Sequence, residues 1–364
     1  MKICYLGDIE SPIVRSWVDH FSRDHEVHVL TDRYQPIDDV RVHQIGWTKR
    51  IAGISYVTRV LDVRRYAKEL KLDVFHAHYV FGYGTMAALA GAKPLVITAM
   101  GSDIGSEPER SFMVRHGVRY TLKRTDVLAV KDVLARQRAI QLGCDPERIV
   151  IAHSCCDTDF FHPDAADFAL RWKLGTAMCR TVLYTRPFNG YYNAMDLAYA
   201  IPFVVREYPE VKFVIVEHGD LIASWKEKAQ RQAWGDHVVF VPKIAHDDMP
   251  RFLASSDIYV DTFYPKPNVA GHGHGTNLVE AMSCGCAQVL PDRLEYYDSW
   301  CKAVHYKQGD YIDLARVIVD LLQSAPKRKL LGRLSRMTAV AEFDQKKVMG
   351  DMLKVYERLA GRST

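Results

Sequence analysis

The sequence predicts an α/β protein of two successive domains, each a parallel sheet covered by helices on both faces. Three observations carry this prediction. Short runs at 2–6, 95–98, 127–130 and 211–216 lack the strict alternation of a half-exposed strand, which marks strands buried on both faces. Between such runs lie stretches with apolar residues at helical spacing, and right-handed crossovers then wind the chain on both sides of the sheet. The alternation stops once, at residues 157–174, and restarts. A chain of 364 residues, at roughly 150 residues per domain, accommodates two such domains.

In the first half, the strand at 2–6 ends in a glycine turn. The helix at 11–23 follows, with Ile13, Val14, Trp17, Val18 and Phe21 at helical period. Further strands are expected at 26–30, 74–78, 95–98, 127–130 and 149–152. Helices are expected at 64–71, at 84–90 (small residues), at 112–125 and at 132–142. Residues 157–174, with His162-Pro163-Asp164, are poor in serial apolar positions and read as the linker. In the second half, strands at 181–185, 211–216, 238–241, 258–261 and 287–290 alternate with helices at 194–207, 221–234, 249–254, 278–284 and 312–322. A helical tail occupies 346–359.

Composition narrows the class. Apolar residues make up 48% and charged residues 25%, an ordinary globular balance that excludes low-complexity disorder. No window approaches the roughly 18 apolar residues of a membrane span, and glycine interrupts Met1-Lys2-Ile3-Cys4-Tyr5-Leu6-Gly7-Asp8 too soon for a signal peptide. A net charge of +4 is too mild to argue for a nucleic-acid partner. Eight cysteines, at 4, 144, 155, 156, 179, 284, 286 and 301, form no Cys-x-x-Cys pair. They read as reduced thiols of a cytosolic chain, not as a disulfide frame or zinc site.

Ligands of open α/β sheets bind beyond the carboxyl ends of the strands, so functional residues should follow strands. Gly7-Asp8-Ile9-Glu10-Ser11 is a single-glycine turn, not a dinucleotide fingerprint, and no Gly-Lys-Ser/Thr phosphate loop occurs. The most informative segment is Gly271-His272-Gly273-His274-Gly275-Thr276-Asn277-Leu278-Val279-Glu280. Alternating glycines that run into a helix expose backbone N–H groups as an anion site. Thr276 and Asn277 either cap that helix or hold a phosphate oxygen, and Glu280, one turn further in, suits a vicinal diol such as ribose. A capped glycine loop is the plain structural alternative.

Other post-strand residues also have two readings. Asp103 is either a ligand or a turn cap. Glu217-His218-Gly219-Asp220 is either a ligand turn or a solvated one. His76 and His78 are expected on opposite faces of their strand, one reaching the ligand edge and the other buried. Arg110, Arg115, Arg119, Lys123 and Arg124, with Trp47-Thr48-Lys49-Arg50-Ile51, Tyr56, Arg59, Arg64 and Arg65, form either a solvated face or a contact for anionic lipid.

Taken together the motifs resemble glycosyltransferase family 4, retaining enzymes of the GT-B fold with two Rossmann-like domains facing a central cleft. The resemblance runs through Asp73-Val74-Phe75-His76-Ala77-His78, Gly101-Ser102-Asp103-Ile104, Leu142-Gly143-Cys144-Asp145-Pro146-Glu147-Arg148-Ile149 and Asp157-Thr158-Asp159-Phe160-Phe161-His162-Pro163. It continues through Thr185-Arg186-Pro187, Tyr192-Asn193, His246-Asp247-Asp248-Met249-Pro250 and Glu280-Ala281-Met282-Ser283-Cys284-Gly285. It implies an acceptor-binding domain at 1–160, a nucleotide-sugar-binding domain at 161–345, and a helix at 346–364 packing back on the first.

The resemblance also implies roles. Arg186, His272 and Asp103 are the expected catalytic residues. Glu280, Gly275, Thr276, Asn277, Gly273, His274, Asn193 and Lys243 are expected to bind the donor, and Gly7, Asp8 and His78 the acceptor. His272 stands where the family usually has the first of two glutamates; it signals a different or charged sugar, weakened activity, or a structural histidine. Met100 replaces a usual histidine, and the second cation after Arg186 is absent. The implied reaction moves a sugar from a UDP- or GDP-sugar to a hydroxyl of a glycan or lipid-linked acceptor. It retains configuration and needs neither metal nor cofactor. The setting is cytoplasmic or peripheral at the inner membrane face. A non-catalytic nucleotide-sugar-binding subunit and a nucleotide-sugar epimerase are the alternatives.

Overall fold

The computed structural model describes residues 1–46, 54–264, 275–292 and 302–361. The described residues of Met1–His153 and Lys346–Thr364 form one compact unit, and those of Ser154–Pro267 and His274–Gln345 a second. Each is a parallel α/β sheet wound with helices.

The first unit has strands β1 (Lys2–Leu6), β2 (Glu26–Thr31), β3 (Arg41–Gln44), β4 (Val74–His78), β5 (Leu95–Thr98), β6 (Val127–Val130) and β7 (Ile149–Ile151). Their order is β3-β2-β1-β4-β5-β6-β7, and every pairing is parallel, with Tyr5 opposite Val29 on one side and His76 on the other. Helices α1 (Pro12–Phe21), α2 (Ile54–Glu69), α3 (Thr85–Ala90), α4 (Glu107–Arg110), α5 (Phe112–Arg124) and α6 (Val133–Gln141) cover it. Proline at the first turn of α1 presets the helical φ where no N–H is needed. The Asp132 side chain caps α6 by accepting the Ala135 N–H at 2.7 Å.

The second unit has strands β8 (Arg180–Tyr184), β9 (Val211–Val216), β10 (Val238–Val241), β11 (Ile258–Val260), β12 (Ala287–Pro291) and β13 (Val304–Tyr306), ordered β10-β9-β8-β11-β12-β13. Its helices are α7 (Phe168–Lys173), α8 (Ala194–Glu207), α9 (Ile222–Gln230), α10 (Met249–Ala254), α11 (Thr276–Ser283), α12 (Tyr311–Gln323) and α13 (Ala325–Glu342). The core lies on both sheet faces. Val182, Tyr184, Phe213, Ile215 and Ile258 pack under α8 and α12, and Leu183, Val214 and Tyr259 pack under α10 and α11. No described helix is long and apolar enough to cross a membrane.

The last helix, α14 (Gln345–Ala360), belongs to the first unit from Lys346 onward. Its Tyr356 is buried, lies 2.5 Å from His76 Nδ1 and rests against the Phe21 ring. The other His76 nitrogen meets Thr98 Oγ1 at 2.8 Å, so one imidazole ties β4, β5 and α14 together.

Several expectations need correction. His76 and His78 do not face opposite sides: residues two apart on a strand share a face, and the two rings stack at 4.5 Å. Helix α2 begins at Ile54 instead of residue 64. The linker holds the short helix α7, capped by Asp167 accepting the Leu170 N–H at 3.0 Å. Strands β3 and β13 and helix α13 were not expected at all. Both strands lie at sheet edges and both show partial exposure, so neither carries a continuous apolar run.

Candidate active site

In the second unit, the candidate residues gather at the carboxyl ends of β8 and β11 and at the start of α11. Arg186 follows β8. It is 8% exposed, and its Nε and Nη2 donate to Oδ2 of Asp261 at 2.9 and 2.7 Å. Asp261 follows β11, is 5% exposed, and accepts the Phe263 N–H on Oδ1 at 2.9 Å. Burial works against the Arg186 charge, but Asp261 more than offsets this and holds the guanidinium pKa above its ordinary value. The guanidinium carbon also lies 5.3 Å over the Tyr192 ring.

Gly275 is the residue before α11 and provides no side-chain cap. A Cβ on it would stand 2.5 Å from Nη2 and 2.6 Å from Nη1 of Arg186. Glycine is therefore required for the guanidinium to lie against the helix start. The first N–H groups of any helix lack intrahelical partners and carry partial positive charge. Arg186 and the start of α11 thus form one electropositive corner. Asn277 does not cap the helix; its side-chain N–H donates to Thr185 Oγ1 at 3.3 Å, and Thr185 meets the Tyr259 hydroxyl at 3.2 Å. Thr276 is half-buried beside it. Glu280 is 6% exposed, with Oε1 at 3.4 Å from Nε2 of His246. The bond to Glu280 raises the His246 pKa, against the lowering effect of burial.

One expected donor ligand has another part. Asn193 has a left-handed backbone, φ 52°, and its side-chain amide donates to the carbonyls of Thr262 at 3.4 Å and Tyr264 at 3.1 Å. It closes the turns around Arg186 instead of facing a ligand. Lys243 is exposed in the segment after β10, at the same sheet edge. Glu217 pairs with Lys226 at 2.5 Å. Gly219, φ +114°, leaves no room for a Cβ beside the Phe188 backbone, so this segment is a packed turn. His272, Gly273 and His274 lie outside the described residues, as do residues 47–51 of the basic stretch and Cys301.

In the first unit, Gly7 is buried and Asp8 half-buried at the end of β1. A Cβ on Gly7 would meet the Cβ of His78 at 3.5 Å, so these expected acceptor residues are neighbours. His78 is 2% exposed, and neither ring nitrogen has a hydrogen-bond partner. Burial pushes its pKa down to about 3, which keeps the ring neutral.

Asp103 is not a substrate-facing acid. It is 0% exposed. Its carboxylate accepts the N–H groups of Val80 (2.7 Å), Met100 (3.1 Å), Gly101 (2.8 Å) and Ile104 (3.1 Å). Burial raises its pKa against the opposing pull of these amides. It shapes the loop that carries Met100. The adjoining Tyr79 has φ 87°, with its hydroxyl against Ser102 Oγ at 2.9 Å and against the Glu107 carboxylate. The described cysteines are free thiols. No described group of three or more His, Cys, Asp or Glu is arranged to hold a metal ion.

Sequence reasoning missed Asp261. Its one signal is position: a carboxylate directly after a strand, on the ligand edge of the sheet.

Residues 2–132 match the family "Glycosyl transferase 4-like" and residues 179–324 match "Glycosyl transferases group 1". The spore coat protein SA of Bacillus subtilis is 23% identical over 255 residues, 64% of this chain and 64% of that protein. The phosphatidyl-myo-inositol mannosyltransferase of Mycobacterium tuberculosis is 27% identical over 244 residues, 64% of this chain and 60% of that protein. The chain thus spans under two thirds of the length of these relatives. Among solved structures, Anabaena HepE in complex with UDP superposes with a TM-score of 0.82 at 17% identity, covering 99% of this chain and 100% of that one. With one family matched on each half and the fold shared end to end, the chain belongs to the family 4 and group 1 glycosyltransferases of the GT-B fold.

Proposed function

We propose that this protein transfers a sugar from a nucleotide-sugar donor to a hydroxyl of a glycan or lipid-linked acceptor, with retention of anomeric configuration. The observation that carries the proposal is the buried Arg186 guanidinium seated against the start of α11 at Gly275, with the Glu280 carboxylate one turn further in. That spacing suits a diphosphate at the cationic corner and a ribose diol at Glu280. The UDP in the HepE structure supports a uridine nucleotide, and a GDP-sugar remains the other candidate donor.

In the reaction the bond from the anomeric carbon to the diphosphate breaks and a bond to the acceptor oxygen forms on the same face. The acceptor proton passes to the departing phosphate oxygen, so no protein base is assigned. Negative charge grows on the diphosphate as the bond breaks. Arg186 and the N–H groups at the start of α11 stabilise it. These are protein groups already in position, and the reading therefore needs no metal ion. His272 belongs to the donor-sugar side in this reading. Gly7, Asp8 and His78 belong to the acceptor side. Helix α5 exposes Phe112 and Met113 beside Arg110, Arg115 and Arg119. This supports an acceptor presented at an anionic, inner membrane face.

The test is a turnover screen with UDP-, GDP-, ADP-, dTDP- and CMP-sugars, with and without chelator, scored by released nucleotide. One donor should turn over with chelator present, and Arg186→Ala and Glu280→Ala should abolish it. Nucleotide binding without turnover of any donor points instead to a binding subunit.

A further inference from the structure

We propose that Asp261 is a positioning residue that fixes Arg186 and offsets its charge, so that the nucleoside diphosphate left after transfer is released instead of retained. The inference rests on the donor-site reading above. Asp261 is itself held, because Oδ1 accepts the Phe263 N–H at 2.9 Å. This leaves Oδ2 aimed at Nε and Nη2 of Arg186 at 2.9 and 2.7 Å. Tyr192 lies under the guanidinium and Gly275 allows its close approach to α11. The cation is therefore fixed on three sides before any ligand arrives. Asp261 uses two of the five guanidinium N–H groups, so the fork retains donors for a phosphate.

The same geometry sets the charge. Both partners are more than nine-tenths buried, and the carboxylate on Nε and Nη2 offsets part of the cation's pull on a phosphate at the remaining N–H groups. The diphosphate then meets a partly offset cation and the start of α11, not a bare cation. Charge growing on the diphosphate is still stabilised by the remaining guanidinium N–H groups and the start of α11. The fully charged product is held less tightly than by an unpaired arginine. Removing the carboxylate charge while keeping its shape should tighten diphosphate binding by on the order of tenfold or more.

The experiment titrates UDP, GDP, ADP and the matching nucleosides into the full chain and into Asp261→Asn and Asp261→Glu, with unfolding monitored in parallel. Asparagine keeps an oxygen for Arg186 but gives up the Phe263 N–H bond. The diphosphate that binds wild type should bind Asp261→Asn at least tenfold tighter. The nucleoside should be unaffected, and Asp261→Glu, which keeps the charge, should not bind the diphosphate tighter than wild type. With the donor sugar, Asp261→Asn should lower KM and kcat together, the pattern of slowed product release. Equal or weaker diphosphate binding by Asp261→Asn overturns the proposal and leaves the donor site standing. If wild type binds none of the three diphosphates, the donor-site reading fails and this proposal with it. Should Asp261→Asn not fold, Asp261→Ser carries the test; if neither neutral variant folds, Asp261 serves folding and the proposal is wrong.

Discussion

Replacing Gly275 by alanine tests the donor corner most sharply, because it adds one methyl and changes no charge. The backbone there, φ −77° and ψ 156°, suits any residue, so no conformational strain arises. Alanine in place of glycine at the N-cap costs roughly 0.5–1 kcal/mol. The methyl, however, would stand 2.5 and 2.6 Å from the two terminal nitrogens of Arg186, and the guanidinium must move. A retreat that keeps the Asp261 pair resembles overpacking, about 1–3 kcal/mol. A retreat that breaks it approaches the roughly 3–5 kcal/mol of a severed buried ion pair. We expect a loss of about 2–4 kcal/mol, a fall in Tm of roughly 5–15 °C, and at least tenfold weaker diphosphate binding. In an Arg186→Ala background the methyl no longer meets the guanidinium, so the added cost should shrink to the capping term. Chemical denaturation of the four proteins gives the cycle. An equal penalty in both backgrounds would refute the assigned contact.

Three further outcomes follow from the same geometry. Asp103→Asn turns an acceptor toward four backbone N–H groups into a partial donor; it should cost about 2–4 kcal/mol and raise amide exchange at residues 99–105. Tyr356→Phe removes the hydroxyl beside His76 Nδ1 and should cost about 1–3 kcal/mol, with exchange rising in α14 before the rest of the first unit. The third concerns pH. The His246 pKa is raised in the folded protein by Glu280, so the pair stabilises fully below the unfolded histidine pKa of about 6.5. That stabilisation is lost as pH rises through the folded value. His246 is 60% exposed, so His246→Gln should cost only about 0.2–1 kcal/mol at pH 5.5 and less at pH 8.5. A cost that grows with pH would contradict the pairing.

The parts legible in the sequence are those whose signal is continuous burial. Strands such as β1, β8 and β9 are buried along nearly their whole length, and their apolar runs stand out. Helix α13 carries Lys327, Arg328, Lys329, Arg333 and Arg336, and its apolar face is too narrow to announce itself. In the site, Gly275 and Glu280 were readable because a glycine-rich segment entering a helix has a physical meaning at short range, and Arg186 only through the family resemblance. Asp261 lies 75 residues from Arg186, and only the sheet order, which puts β11 beside β8, joins them. Asp103 and Asn193 follow the opposite course. Both occur in recognisable motifs, yet their polar atoms are taken up by backbone groups, which the motif alone does not reveal.

The buried Arg186 beside Gly275 implies that a nucleoside diphosphate binds at the ends of β8 and β11 and the start of α11. Hydrogen–deuterium exchange of the full chain, with and without the diphosphate that binds it, tests this directly. Binding should slow exchange at residues 185–193, 260–264 and 275–283. Protection confined to residues 1–153, or none in these three segments at saturating ligand, would contradict it.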